Sequence, residues 1–290
     1  MSFTKYAEHI KKLPSWLYKI GAQTYYDKKF PRHLFIETTA KCNLSCDYCP
    51  RENISEHMDF GLFKAIVDEA STYGQRSFSL HLFGEPLLYP RIIDAIRYIK
   101  QCNRRHTVLL TTNGTRLNQY VDELIRSDCG VDEIIWTWRT EAKFKEATIR
   151  KLKGWGHFRV RLIKEITPEE EVRRWESWPK VEFRSLHNYG GQIDLSKWSV
   201  PNATTRWACY HPFYAPAVAW NGNILLCCAD PNQKEVIGNV KTMTVSQAWK
   251  KMENVRQTHI NGKYEGICKN CDVWKSYPNM FFRWQYAKNP

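Results

Sequence analysis

Residues 34–49 read Leu-Phe-Ile-Glu-Thr-Thr-Ala-Lys-Cys-Asn-Leu-Ser-Cys-Asp-Tyr-Cys, and the rest of the chain is best understood outward from them. The first five, Leu34–Thr38, make an apolar and β-branched run of strand length. Cys42, Cys46 and Cys49 follow on one loop with the spacing C-x3-C-x2-C. Three thiolates on so short a segment can hold three irons of a cubane 4Fe–4S cluster and leave the fourth iron open to another ligand. Zinc sites prefer paired C-x2-C spacings, so a zinc loop is the alternative that spacing alone leaves open.

This strand is the first of six. Candidates at Leu34–Thr38, Phe78–Phe83, Thr107–Thr111, Glu133–Trp138, Phe158–Ile166 and Val181–His187 alternate with amphipathic stretches at Asp59–Tyr73, Arg91–Cys102, Leu117–Ser127, Glu141–Leu152 and Pro168–Trp178. Leu62, Ile66 and Ala70 share one face of the first helix. Thr167, Pro168 and Glu170 read as an N-cap, an N1 proline and a capping box for the last. Six β–α units in a row predict an α/β fold, a parallel sheet with helices outside it. Six units make a partial (β/α)6 barrel rather than the full eight, and right-handed crossovers leave one rim for chemistry.

Residues 189–208, punctuated by Gly190, Gly191, Ser196, Ser199 and Pro201, read as a linker. After it the pattern changes. Ala217–Trp220 and Asn223–Cys228 flank Asn221-Gly222, a hairpin signal. A helix follows, with Thr244 and Gln247 as its capping box and Val245, Trp249, Met252 and Val255 on one face. The expected organisation is an N-terminal helical extension over residues 1–30, a barrel over 31–188, the linker, and a small β-hairpin/helix domain over 209–290. In the extension, Tyr6, Ile10, Leu13, Trp16 and Leu17 recur at helical spacing.

Composition narrows the function classes. The chain has 290 residues, 43% of them hydrophobic, which suffices for a sizeable core and excludes global disorder. No run approaches the roughly 18 apolar residues of a membrane span. No signal-peptide block is visible, so the expected location is cytoplasmic, with no membrane partner. A net charge of +13 favours anionic partners, with a solvated basic surface as the plain alternative. Ten cysteines without an export signal point to metal or cluster ligation rather than a disulfide framework. Cys102 and Cys129 stand apart at helix ends and read as buried structural cysteines. Basic residues interleaved with aromatics keep nucleic acid open as a partner, but no RNP or KH signature is present.

The C-x3-C-x2-C loop after the first strand resembles the signature of the radical SAM superfamily. There the open iron binds S-adenosylmethionine, and an electron from the cluster cleaves it to a 5′-deoxyadenosyl radical. Tyr48 matches the aromatic of that signature, which packs near adenine. Phe83-Gly84-Glu85-Pro86 resembles the family's GGE motif, which implies that the Gly84 backbone approaches the methionyl group and that Glu85 accepts from its ammonium. Thr112-Asn113-Gly114 resembles the segment beside the ribose. Thr137 keeps a hydroxyl where Ser is usual, although Trp136 and Trp138 depart from the pattern. Arg159 and Arg161 share one face of the fifth strand; the resemblance implies that one of them, Arg161, pairs with the methionyl carboxylate.

Near the C-terminus, Cys209, Cys227, Cys268 and Cys271 give C-x17-C and a closing C-x2-C. With the hairpin and the Trp249 helix, they resemble a SPASM/twitch-type module holding one auxiliary 4Fe–4S cluster; structural zinc is the alternative on spacing alone. Cys228 is a spare, since neighbouring strand residues face opposite ways; it reads as a buried cysteine or, by family resemblance, as a hydrogen-atom donor in an epimerase. The resemblance thus implies a cytoplasmic oxidoreductase or maturase with two 4Fe–4S clusters and S-adenosylmethionine, supplied with electrons by a donor such as flavodoxin or ferredoxin. It would oxidise or cross-link a peptide or another anionic substrate. Radical modification of a nucleic acid or nucleotide, or epimerisation with Cys228, are the alternatives.

Overall fold

A computed structural model describes residues 26–276 apart from 53, 199, 201–205 and 207. The helix expected over Tyr6–Leu17, Ser199 and Pro201 of the linker, and residues 277–290 lie outside the described residues.

Six strands form the first part: β1 (His33–Ile36), β2 (Ser77–Ser79), β3 (Thr107–Thr112), β4 (Glu133–Thr137), β5 (Phe158–Ile163) and β6 (Val181–Arg184). They pair in parallel in the spatial order β6-β5-β4-β3-β2-β1. Between them run α1 (Phe60–Ser71), α2 (Ile92–Cys102), α3 (Leu117–Leu124), α4 (Glu146–Trp155) and α5 (Glu169–Trp175). Side-chain alternation sorts the two faces of the sheet. Leu34, Ile36, Phe78, Leu80, Val108, Leu110, Trp136, Val160 and Leu162 enter one core with Phe63, Ile66, Ile96 and Val121 of the helices. Fully burying each such side chain contributes about 1.5–3 kcal/mol, which fixes this face against the helices. The opposite face carries His33, Glu37, His81, Glu133, Arg159, Arg161 and Glu182. Burial on this inner face, with the Arg161 charge on β5 as a lesser cause, lowers the pKa of His81 on the β2 side.

Two helix starts differ in how they are made. Asp59 caps α1, its carboxylate accepting from the Leu62 N–H at 2.9 Å. The capping box expected at Thr167 does not form, and Pro168 occupies the N-cap. The Thr167 hydroxyl instead accepts from the Ile163 N–H at 3.0 Å, serving the end of β5. β2 also ends before its expected limit, at Ser79. The His81 ring takes over the ladder, its Nδ1 accepting from the Thr111 N–H at 3.2 Å.

The C-terminal part consists of α6 (His211–Tyr214), β7 (Ala217–Val218), β8 (Asn223–Leu225), β9 (Val236–Asn239), α7 (Val245–Lys251), α8 (Glu253–Ile260) and α9 (Ile267–Asn270). The expected hairpin forms around Asn221-Gly222, but it does not build a sheet of its own. β7 pairs in parallel with β1, Phe35 opposite Ala217, so one nine-stranded sheet continues as β1-β7-β8-β9. Val245, Ala248, Trp249 and Met252 join the barrel's own core. Glu69 of α1 accepts from the first N–H groups of α7, those of Val245 and Ser246, each at 2.9 Å. These are the donors that a helix start leaves without intrahelical partners. The single helix expected through Val255 breaks at Met252. There the buried Arg256 guanidinium donates to the Trp249 carbonyl at 2.9 Å, the acceptor a continuous helix would have used. The start of the linker is docked as well: Asn188 and Asp272 exchange backbone-to-side-chain bonds at 2.8 and 3.1 Å. No helix among the described residues is long and apolar enough to cross a membrane.

Candidate active site and auxiliary cysteine cavity

The cysteine loop leaves the C-terminal end of β1 and is held by three hydrogen bonds. The Cys49 N–H donates to the Cys46 carbonyl at 3.0 Å, closing a turn. Asn43 donates to the Thr115 hydroxyl at 2.9 Å. Asn113 donates to Asn43 Oδ1 at 3.0 Å and faces Cys42 Sγ at 3.9 Å. Burial pushes the Cys42 and Cys49 thiols up, opposed by the Leu44 and Arg51 backbone N–H groups and by the Arg51 guanidinium. Arg51 is anchored beside the loop, donating to the Leu44 carbonyl at 3.0 Å. Backbone N–H groups and a cation directed at sulfur are the surroundings that a thiolate-ligated cluster needs.

Gly84 fits this loop by steric necessity. A Cβ there would lie 1.9 Å from the Thr39 carbonyl oxygen, and the neighbouring Glu85 N–H donates to the Lys41 carbonyl at 2.8 Å. The close approach is therefore to the backbone leading into the cysteines. Glu85 is 3% exposed. Its carboxylate accepts from the Thr112 hydroxyl and the Asn113 N–H, each at 2.7 Å, and from the Leu87 N–H at 3.1 Å. Burial raises its pKa and these donors oppose the rise. Glu85 and Thr112 thus form a clamp between the ends of two strands, with three protein donors on the carboxylate. Gly114 adopts φ +82°, and a Cβ there would strike the Trp136 ring; the Trp136 indole donates to the Asn113 carbonyl at 3.1 Å.

Two basic residues are candidates for the role expected of Arg161. Arg161, beside the buried Thr137 in register, lies 3.5 Å from Glu182. Together with burial, which is the larger cause, it pushes the His81 pKa down to about 3. It belongs to the charged inner face. Arg139, just past β4, stacks its guanidinium 5.1 Å from the Tyr48 ring centre, and its Nε is buried without a hydrogen-bond partner. Burial pushes the Tyr48 phenol far above its ordinary range against the pull of Arg139. Arg139 thus stands beside Tyr48 of the cysteine loop.

Cys209, Cys227, Cys268 and Cys271 line one cavity together with Arg206, His211 and His259. Burial is the main reason that all four thiols are raised, Cys268 to about 12. The Ala229 and Val273 N–H groups point at the Cys227 and Cys271 sulfurs, each at 3.4 Å. Among the described residues no three His, Cys, Asp or Glu side chains are placed to hold a single metal ion. A cubane cluster makes a different demand, spreading its thiolates around a multi-atom core. Cys227 packs with Ala229, Val273 and Cys271, whereas Cys228 packs with Phe35, Leu82 and Ala219 of the inner face. The expected strand alternation ends before either residue, since β8 stops at Leu225, yet the two thiols do diverge. Cys102 and Cys129 are half-buried rather than buried, lie on other elements, and point at Asp68 and Asp128.

Comparison with known proteins places these features in a family. A family model described as the radical SAM superfamily matches residues 36–134, and one described as an iron–sulfur cluster-binding domain matches residues 209–272. The chain is a radical SAM enzyme. It works with S-adenosylmethionine, a 4Fe–4S cluster and auxiliary iron–sulfur ligation. It is 27% identical over 82% of its length to the S-adenosyl-L-methionine-dependent 2-deoxy-scyllo-inosamine dehydrogenase of Niallia circulans, covering 91% of that protein. A crystal structure of BtrN with AdoMet and 2-DOIA superposes with a TM-score of 0.63 at 25% identity, over 84% of this chain and 94% of that one. The Streptococcus suis SuiB structure bound to precursor peptide SuiA shares the fold, with a TM-score of 0.61 at 14% identity over 85% and 71% of the two chains.

Four residues of this radical SAM enzyme escaped the sequence reading. Arg139 and Arg51 flank the cysteine loop, and each had a signal, a basic residue just past a strand end or just past the third cysteine. Glu37, just past β1, is 6% exposed on the inner face. Its carboxylate accepts from the Phe83 and Trp220 N–H groups at 3.3 and 3.4 Å, and burial pushes its pKa up to about 7. His259 had no local signal at all.

Proposed function

We propose that this radical SAM enzyme removes two electrons from a hydroxyl-bearing carbon of a small polar substrate. Cys42, Cys46 and Cys49 hold the S-adenosylmethionine-binding cluster, and Cys209, Cys227, Cys268 and Cys271 hold the auxiliary one. The observation that carries this reading is the divergence of Cys227 and Cys228. One faces the auxiliary cavity and its chain neighbour faces the inner side of the sheet. When bound, the first cluster supplies the electron that cleaves S-adenosylmethionine to the hydrogen-abstracting radical, and the second supplies an electron sink. Arg139 holds the methionyl end over the loop, and Tyr48 beside it packs near adenine. Glu85, Thr112 and Asn113 fix the loop's distance from the neighbouring strands. The inner face, with Glu133, Arg159, Arg161, Thr137 and Glu182, orients a substrate bearing hydroxyl and charged groups. Similarity across most of both chains to a dehydrogenase named for a deoxyinosamine supports a small aminocyclitol or sugar over the peptide expected from charge. The net charge of +13 suits an acidic electron carrier such as flavodoxin or ferredoxin.

Epimerisation is the second reading. The Cys228 thiol lies on the inner face, with its Sγ 3.7 Å from His211 Nδ1, placed to return a hydrogen atom. One experiment separates the two. Anaerobically reconstituted protein receives S-adenosylmethionine, a strong reductant and 2-deoxy-scyllo-inosamine in D2O, and products are weighed after back-exchange. Oxidation gives 5′-deoxyadenosine and a product two mass units lighter; epimerisation gives one a unit heavier. The Cys42→Ala/Cys46→Ala/Cys49→Ala protein gives neither. Production of 5′-deoxyadenosine with no lighter product across a panel of aminocyclitols and sugars would overturn the substrate class.

A further inference from the structure

The auxiliary cavity contains a side chain that neither the cysteine spacing nor the family match accounts for. His259 is 2% exposed on the last turn of α8. Neither of its ring nitrogens has a hydrogen-bond partner. An unpartnered buried polar group costs roughly 1–3 kcal/mol, and a ring with both nitrogens in that state calls for an acceptor. The ring lines the same cavity as Cys209, Cys227, Cys268 and Cys271. It is locked edge-to-face against Tyr264, with centroids 5.0 Å apart. Tyr264 in turn carries the Arg206 guanidinium at 3.7 Å. Arg206 is fixed by its bonds to the Lys269 and Cys268 carbonyls, and its own Nε is also buried without a partner in this cavity. A chain of three stacked or bonded side chains therefore holds an imidazole rigidly at the cysteines. Four of the side chains that line the cavity among the described residues are cysteines, whose sulfurs can accept.

We infer that His259 is a positioning and tuning residue for the auxiliary cluster, its ring N–H donating to a cysteine sulfur or bridging sulfide of the group held by Cys209, Cys227, Cys268 and Cys271. This rests on the assignment of those four cysteines made above. An imidazole carries at least one N–H in either protonation state, so the ring always has a donor to offer. A hydrogen bond to cluster sulfur disperses negative charge and favours the reduced state, so it raises the potential. The residue then matches the cluster's need as an electron acceptor, and the Arg206 Nε is placed to assist.

The test is an EPR-monitored redox titration of the reconstituted holoenzyme, with pulsed EPR on protein carrying 15N-labelled histidine. The wild type shows a weak nitrogen coupling on the auxiliary signal. His259→Phe keeps the ring but loses the donor: its auxiliary midpoint moves to a more negative potential and the coupling disappears, while the midpoint of the other cluster stays put. His259→Gln, which restores an N–H, recovers part of the shift, and it carries the test should the Phe protein not load iron. An unchanged midpoint in a fully loaded variant, or a coupling that persists without His259, overturns the proposal. Absence of any second cluster signal in the wild type instead overturns the four-cysteine assignment, so the two failures are distinguishable.

Discussion

Replacing Glu37 with Gln flattens the stability of the protein toward alkaline pH. Glu37 sits at the end of β1 under the second strand's exit loop and the β7–β8 turn, 6% exposed. Burial raises its pKa from 4.5 to about 7, even though the Phe83 and Trp220 N–H groups favour the charged form. The folded state therefore binds this proton more tightly than the unfolded chain. The stability it contributes is fully present below about pH 4.5 and is lost as pH rises through about 7. The gap between these values, at about 1.36 kcal/mol per pH unit, amounts to about 3 kcal/mol. The side chain is too buried for solvent screening to reduce that much. At an unfolding entropy of about 2.1 cal/mol/K per residue, the loss corresponds to about 5 °C in Tm for a chain of this length. Gln cannot ionise; its NH2 cannot accept as a hydroxyl oxygen can, so one of the two N–H groups loses its acceptor, at a cost that does not vary with pH. Thermal unfolding of cluster-loaded protein, followed anaerobically from pH 5 to 8.5, is the assay. Between pH 5 and pH 8 the Tm difference should move by about 4 °C in favour of Glu37→Gln. Other titrating groups are common to both proteins and cancel in the difference. Parallel curves across the range would refute the argument that burial governs this carboxyl.

Gly84→Ala drives a methyl group into the Thr39 carbonyl, 1.9 Å away. The strand end or the cysteine loop must shift, at a cost of roughly 3 kcal/mol or more; iron content and Tm should both fall, and normal values for both would show that the contact is not binding. Arg139→Ala should weaken S-adenosylmethionine binding about tenfold or more, the scale of a lost charge-assisted hydrogen bond. Arg161→Ala should leave that affinity nearly intact and impair substrate turnover instead. Equilibrium binding of S-adenosylmethionine to the two variants checks this, and the reverse ranking would restore Arg161 to the methionyl carboxylate.

The sequence by itself carried the six parallel strands with their helices, the Asn221-Gly222 hairpin and the cysteine spacings. The alternation of Leu34, Ile36, Leu110 and Val160 with polar neighbours is a local property of strands, and the C-x3-C-x2-C and C-x2-C spacings are short enough to read without a fold. Helix starts at Asp59 and Thr244 were legible for the same reason, because a cap acts across three residues. The tertiary structure decided everything that depends on distant segments meeting. The hairpin joined β1 because the edge of a parallel sheet accepts a new strand wherever the chain brings one, and no residue near Ala217 encodes that choice. Glu85 became a clamp because Thr112 and Asn113, 27 and 28 residues onward, arrive beside it with donors. Thr167 left its cap because Ile163 offered an N–H without a partner. Glu37 and His259 carry unusual electrostatics only because burial removes water from them, and burial belongs to the assembled fold, not to any short stretch of chain.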